Sequence, residues 1–207
     1  MSGIIGVSPN MKTGVVGAPI KGTWVLLQEK EELSSASEID LGNGTVGGHI
    51  AGGGNPFSSR YRDYKIIGSE VAISAGGSIH LRWSQGGLIT SGYKTISSGR
   101  DASNAVRTTD STGYAYAFIT GGGTVQAQTT GQYGGINFTM YLNHARSAGR
   151  TVVYGHSAYR QDNFSGHIQY TSFAANNEGS AGAIDYVRIY SSTTIRTAKI
   201  SLYGLAL

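Results

Sequence analysis

Residues 136–143 read Ile136-Asn137-Phe138-Thr139-Met140-Tyr141-Leu142-Asn143, an apolar side chain at every second position with Asn, Thr or Tyr between. A strand sends successive side chains to opposite faces, so this period of two predicts a half-buried β-strand. The same alternation recurs in Ser78–Gln85, where Ile79, Leu81 and Trp83 share one side and His80, Arg82 and Ser84 the other. It recurs again near the end, where Ala198, Ile200 and Leu202 alternate with Thr197, Lys199, Ser201 and Tyr203. A strand with one apolar face is stable only against another layer. Ile79, Leu81, Trp83, Phe138, Met140, Ile200 and Leu202 are therefore the predicted core.

Outward from these three segments, the chain is a series of short β-branched and aromatic runs punctuated by Gly, Asn and Ser. Further strands are expected at Trp24–Gln28, Tyr64–Val71, Leu88–Ile96, Tyr114–Ile119, Thr124–Thr129, Thr151–Ser157, Gly166–Ala174 and Ala183–Tyr190, ten or eleven in all. Gln28–Glu38 alone has helix-forming composition and is expected to hold a helical turn. Residues 42–55 are expected to form a glycine-rich loop or bulged edge, and Ser97–Gly113 a long polar loop. Residues 1–22 carry five glycines, two prolines and isolated apolar pairs with no sustained period. The division that follows is an extended N-terminal docking arm, 1–22, with Ile4, Ile5, Pro9, Met11, Val15 and Val16 as its contact residues, and a single all-β, antiparallel sandwich domain, 23–207.

Composition narrows the function. Of 207 residues, 32 are glycine, about twice the usual share of roughly 7%, and only 14% are charged. The net charge of +4 comes without a basic block, so nucleic acid is not an expected partner. The absence of cysteine excludes disulfides, thiolate metal sites and a cysteine nucleophile. No stretch approaches eighteen consecutive apolar residues and residues 1–20 do not read as a signal peptide, so membrane insertion is not expected. The Asn-x-Ser/Thr matches at Asn43, Asn137 and Asn163 are then chance.

Chemistry-bearing patterns are sparse. His49, His80, His144, His156 and His167 lack metal-ligand spacing, and His80 and His167 are expected to face solvent. No serine lies in G-x-S-x-G, and neither Gly52-Gly53-Gly54 nor Gly121-Gly122-Gly123 precedes a helix as a phosphate cradle requires. Asp185 is expected to cap a turn or to pair with Arg188 or Arg196. No catalytic residue, cofactor or metal is assigned. Thirteen tyrosines and two tryptophans remain. Tyr141 and Tyr203 fall on the polar side of their strands, and Arg60, Tyr61, Arg62 and Tyr64 cluster ahead of one. Such rings serve subunit contacts and sugar platforms alike, and these six residues are the candidate subunit or receptor contacts.

The opening Ser8-Pro9-Asn10-Met11-Lys12-Thr13-Gly14-Val15-Val16-Gly17 resembles the N-terminal peptide of tailed-bacteriophage virion proteins from marine and freshwater hosts. The closing Lys199-Ile200-Ser201-Leu202-Tyr203-Gly204-Leu205 resembles the final strand of that group, and Tyr61-Arg62-Asp63-Tyr64-Lys65-Ile66-Ile67 its first sandwich strand. The resemblance implies a jelly-roll-like β-sandwich in a non-enzymatic virion structural protein. It implies either a tail-fibre, receptor-binding module attached by its arm and facing the host surface, or a capsid decoration protein coating the head. Partners would be other virion proteins, further copies of the chain, with a trimer as the default, and a host surface glycan for the fibre type. The expected location is the virion surface.

Overall fold

The computed structural model describes residues 21–33, 35–42, 56–57, 61–100, 106–121, 123–127, 135–143, 145, 149–160, 168–179 and 181–207. Within them lie eleven strands, β1 Trp24–Glu32, β2 Ala36–Leu41, β3 Tyr61–Ile73, β4 Ile79–Ser84, β5 Tyr93–Arg100, β6 Val106–Tyr114, β7 Ala117–Phe118, β8 Ile136–Asn143, β9 Val152–Arg160, β10 Ile168–Asn177 and β11 Tyr186–Ala206. Every pairing between them is antiparallel. The described chain is the expected all-β antiparallel sandwich.

β11 builds both layers. Its first half, Tyr186–Ser191, is bonded to β4 on one side and β2 on the other. Its second half, from Ile195 on, lies between β3 and β1. The larger layer runs β1, β11, β3, β8, β9, β10, β5, β6, and the smaller runs β2, β11, β4, β7. Between the halves sits Ser191-Ser192-Thr193-Thr194, whose hydroxyls and amides bond the facing turn: Ser192 Oγ accepts from the Ser78 amide at 3.0 Å, and the Ser74 amide donates to the Thr194 carbonyl at 2.8 Å. β1–β2 and β3–β4 cross the same corner alongside β11, which is how a strand changes layers without losing its ladder.

The core lies between the layers. Trp83, Leu81, Ile79, Val187 and Ile189 come from the smaller layer, and Tyr64, Ile66, Phe138, Met140, Leu142, Val153, Ile200 and Leu202 from the larger, all buried. All seven predicted core residues are among the buried ones. Towards β5, β9 and β10 the inward side chains change from apolar to hydroxylated. There Ser157 Oγ donates to the Ile119 carbonyl at 2.8 Å, Tyr159 Oη to Thr120 at 2.7 Å and Thr109 Oγ1 to Gly121 at 2.8 Å. The segment after β7 is thereby held inside the sandwich, with its carbonyls bonded by side chains rather than by a neighbouring strand.

Four expectations are corrected. Gln28–Glu38 holds no helical turn: it belongs to β1 and β2, where Glu29 stands opposite Ser201 and Glu31 opposite Lys199. Cross-strand pairing outweighs the weak helix preference of Glu and Lys. Ser97–Gly113 is not a long loop, because β5 runs on to Arg100 and pairs with β6. Its polarity is that of strands whose inward side chains are hydroxyls. Tyr114 ends β6 and the rest of Tyr114–Ile119 holds only the two-residue β7, and of Thr124–Thr129 the described residues, 124–127, make a single isolated bridge, Val125 with Gly77, while 128 and 129 lie outside the described residues. Of the arm, 1–20 lie outside the described residues, as do 43–55 of the glycine-rich segment; Gly22, at the arm's end, donates to the Ala206 carbonyl at 3.0 Å.

Trp83 packs edge-on against Tyr93 with ring centroids 4.7 Å apart, and both are fully buried. Trp83→Ala should lower unfolding free energy by about 3–5 kcal/mol in urea titrations. Ser157→Ala, which leaves the buried Ile119 carbonyl without its donor, should cost about 1–3 kcal/mol in the same measurement.

Candidate functional site

The outer face of the larger layer carries a row of facing side chains. Tyr203 on β11 stands opposite Lys65 on β3, Lys65 opposite Tyr141 on β8, and Tyr141 opposite Tyr154 on β9. Lys65 Nζ lies 4.9 Å from the ring centres of both Trp24 and Tyr203, a double cation–π contact. Trp24 meets Tyr141 at 6.0 Å, and Tyr141 stacks on Tyr154 at 5.3 Å with 20° between the planes. One step along β9 and β10, His156 stacks on Tyr170 at 5.9 Å. The row continues into exposed aliphatic side chains, Ile96, Val106 and Ile168, the last 67% accessible. Apolar side chains gathered on one exposed face mark an interaction surface more often than isolated ones do.

The sequence-derived contact residues divide. Tyr141 and Tyr203 are brought onto this face, with only Lys65 between them in the row. Tyr64 is corrected: it is wholly buried, its ring 4.8 Å from Phe57 and 6.3 Å from Tyr61, because inward alternation with Ile66 assigns it to the core. Tyr61 is half-buried against Gly204 and Leu27. Arg62 is exposed and paired with its neighbour Asp63 at 2.8 Å. Arg60 and the arm residues Ile4, Ile5, Pro9, Met11, Val15 and Val16 lie outside the described residues. Trp24, Lys65, Tyr154 and Tyr170 were not singled out from sequence. The alternation of Tyr154 and His156 with Val153 and Ser157 was the available signal.

A second group occupies the outer face of the smaller layer. His80 on β4 is buried, not solvent-facing: Tyr116 stacks on it at 3.9 Å, and Phe118 and Tyr190 lie 5.4 and 5.1 Å away. Burial, and then the nearby Arg82 charge, push its pKa down to about 4. His167 lies outside the described residues. Arg82 donates from Nε to the Ala115 carbonyl at 2.8 Å and lays its guanidinium over the Tyr190 ring at 4.7 Å. Directly across the ladder, Arg188 forms a two-pronged pair with Asp40, both bonds 2.8 Å, and a third contact with Glu38. Asp185 does cap a turn, accepting from Ser84 Oγ at 3.2 Å and from the Gly86 amide, which leaves Arg188 to the β2 acids.

Among the described residues no group of three or more His, Asp or Glu side chains is arranged to hold a metal ion. No helix among the described residues is long and apolar enough to cross a membrane. Compared with known proteins, the chain matches no family model, no curated protein and no solved structure.

Because His80 is neutral in the folded protein at a pH where an unfolded histidine is charged, the unfolded state binds the extra proton between pH 6.5 and about 4. Stability is therefore complete above pH 6.5 and falls as the pH drops through that window, by about 2–4 kcal/mol. His80→Phe should flatten this part of the stability profile, measured as the difference between the two proteins in urea unfolding at each pH.

Proposed function

We propose that this chain is a non-enzymatic bacteriophage virion structural protein of the tail-fibre, receptor-binding type. In this reading the arm of residues 1–22 attaches it to the particle, and the sandwich is presented to the host surface as part of a homotrimer. The observation that carries the reading is the outer face of the larger layer, where Trp24, Tyr203, Lys65, Tyr141 and Tyr154 interlock on a rigid sheet and leave ring edges in solvent. Rings with few rotatable bonds lose little entropy on contact, so a sheet face of this kind suits a recurring partner surface. The resemblance of the terminal segments to phage virion proteins gives that partner its class: other virion proteins and copies of the same chain.

The exposed Ile96, Val106 and Ile168 at the β5–β6–β10 end favour a second reading, a capsid decoration protein packed edge to edge over the head. Copy number and position separate the two. Antibody labelling of intact particles with quantitative mass spectrometry should find tens of copies on the tail. Hundreds of copies over the head would overturn the fibre reading in favour of decoration. Removing residues 1–22 should leave the sandwich folded and abolish incorporation into particles.

A further inference from the structure

The guanidinium of Arg82 lies on the outer face of the smaller layer. It is half-buried, fixed at one end by its bond to the Ala115 carbonyl and spread over the Tyr190 ring, yet no carboxylate forms an ion pair with it among the described residues. Its nearest ionised neighbour across the ladder is Arg188, a like charge already neutralised by Asp40 and Glu38 on the far side. With both of those carboxylates committed to Arg188, Arg82 has no acid of its own among the described residues. Two polar atoms of the same cluster, His80 Nδ1 and Tyr190 Oη, are buried with no hydrogen-bond partner. That is a costly arrangement, which a bound polar molecule would relieve. Around them stand Tyr114, Tyr116 and Phe118, with Tyr114 and Tyr116 at 6.0 Å and Tyr116 and Phe118 at 5.0 Å.

From these observations we infer that the outer face of the smaller layer, centred on Arg82, binds a carboxylate-bearing sugar. The planar fork of a guanidinium matches the two oxygens of a carboxylate. A single guanidinium with no acid of its own suits a monoanion better than a phosphate dianion, which several cations usually share. The rings of Tyr114, 44% accessible, and Tyr116 supply apolar surface for the C–H face of a pyranose, and His80 Nδ1 and Tyr190 Oη are the unpartnered polar atoms its hydroxyls would satisfy. The inference rests on the reading of the chain as a receptor-binding module, for which it names the class of receptor, an acidic surface polysaccharide.

The test is ligand-observed saturation-transfer NMR on the full chain with methyl β-glucuronide, N-acetylneuraminic acid, neutral methyl β-glucoside and glucose 6-phosphate. A carboxylate sugar should give signal and the neutral glucoside none. Affinity should fall at least tenfold in Arg82→Gln and stay unchanged in Glu31→Gln on β1 of the larger layer. Amide shifts in the wild-type protein should map to Arg82, Tyr116 and Tyr190, which keeps the test open if Arg82→Gln fails to fold. Silence from both carboxylate sugars, binding that survives in Arg82→Gln, or a response to glucose 6-phosphate alone would each overturn the inference. Particle labelling is independent of this result: tail labelling with no sugar binding refutes the site and leaves the fibre reading standing, and sugar binding with head labelling does the reverse.

Discussion

Because β11 is continuous through Ser191–Thr194 while its two halves are bonded in different layers, the layers cannot shift past each other without breaking ladders on both sides of one strand. β1–β2 flank it on one side and β3–β4 on the other, so three strand paths turn the corner together. The corner itself is built of hydroxylated residues because a bend frees amides and carbonyls from the ladder, and Ser and Thr side chains are the nearest groups able to bond them. Gly77 faces this corner, where an added Cβ would come within 2.7 Å of Ser192 Oγ. A side chain at this point of the β3–β4 turn would have to displace the Ser192 hydroxyl that bonds the Ser78 amide.

That constraint also explains the change in the interior. Near β11 the layers lie against each other and are filled by Trp83, Ile66, Met140 and Leu202. Away from it, at β9, β10 and β5, the segment after β7 enters instead, carrying carbonyls that have no strand beside them. Ser157 and Tyr159 bond the Ile119 and Thr120 carbonyls, and Ser97 and Thr109 share that of Gly121. An apolar residue at position 157 would leave a buried carbonyl without its side-chain donor, which costs more than the burial of a methyl group returns. The chain's low charge and high Ser, Thr and Gly content are therefore partly a property of its inside.

This is also where sequence reading succeeds and fails. Ile136–Asn143, Ile79–Ser84 and the end of β11 were legible because one face meets an apolar layer and the other meets solvent, so burial and polarity coincide. At Ser97–Gly113 they do not coincide: inward residues are hydroxyls and Ile96 points outward, so alternation in hydropathy vanishes although alternation in direction persists. Gln28–Glu38 misleads for a different reason, since its charges lie on an edge ribbon and find partners 170 residues away in the sequence, such as Glu29 with Ser201 and Lys199. Tyr141 and Tyr203 were legible as outward rings. Lys65, which bridges Tyr203 and Trp24, was not, because its role depends on strands β1, β11 and β3 being neighbours.

The two outer faces differ in how completely their charges and polar atoms are answered. On the larger layer Lys65 lies against two rings and the tyrosines stack on each other, so the members of the aromatic row satisfy one another. On the smaller layer Arg188 is over-supplied, with two carboxylates, while Arg82 directly opposite has none. His80 Nδ1 and Tyr190 Oη beside it are buried without hydrogen-bond partners. A Leu or Thr at position 82 would keep the strand pattern, so packing alone does not account for an arginine there. Local arrangements that weaken a fold without serving its packing concentrate at sites that bind something. The proposal of a small charged ligand at the β4 face rests on this arrangement and not on the larger aromatic display of the other layer.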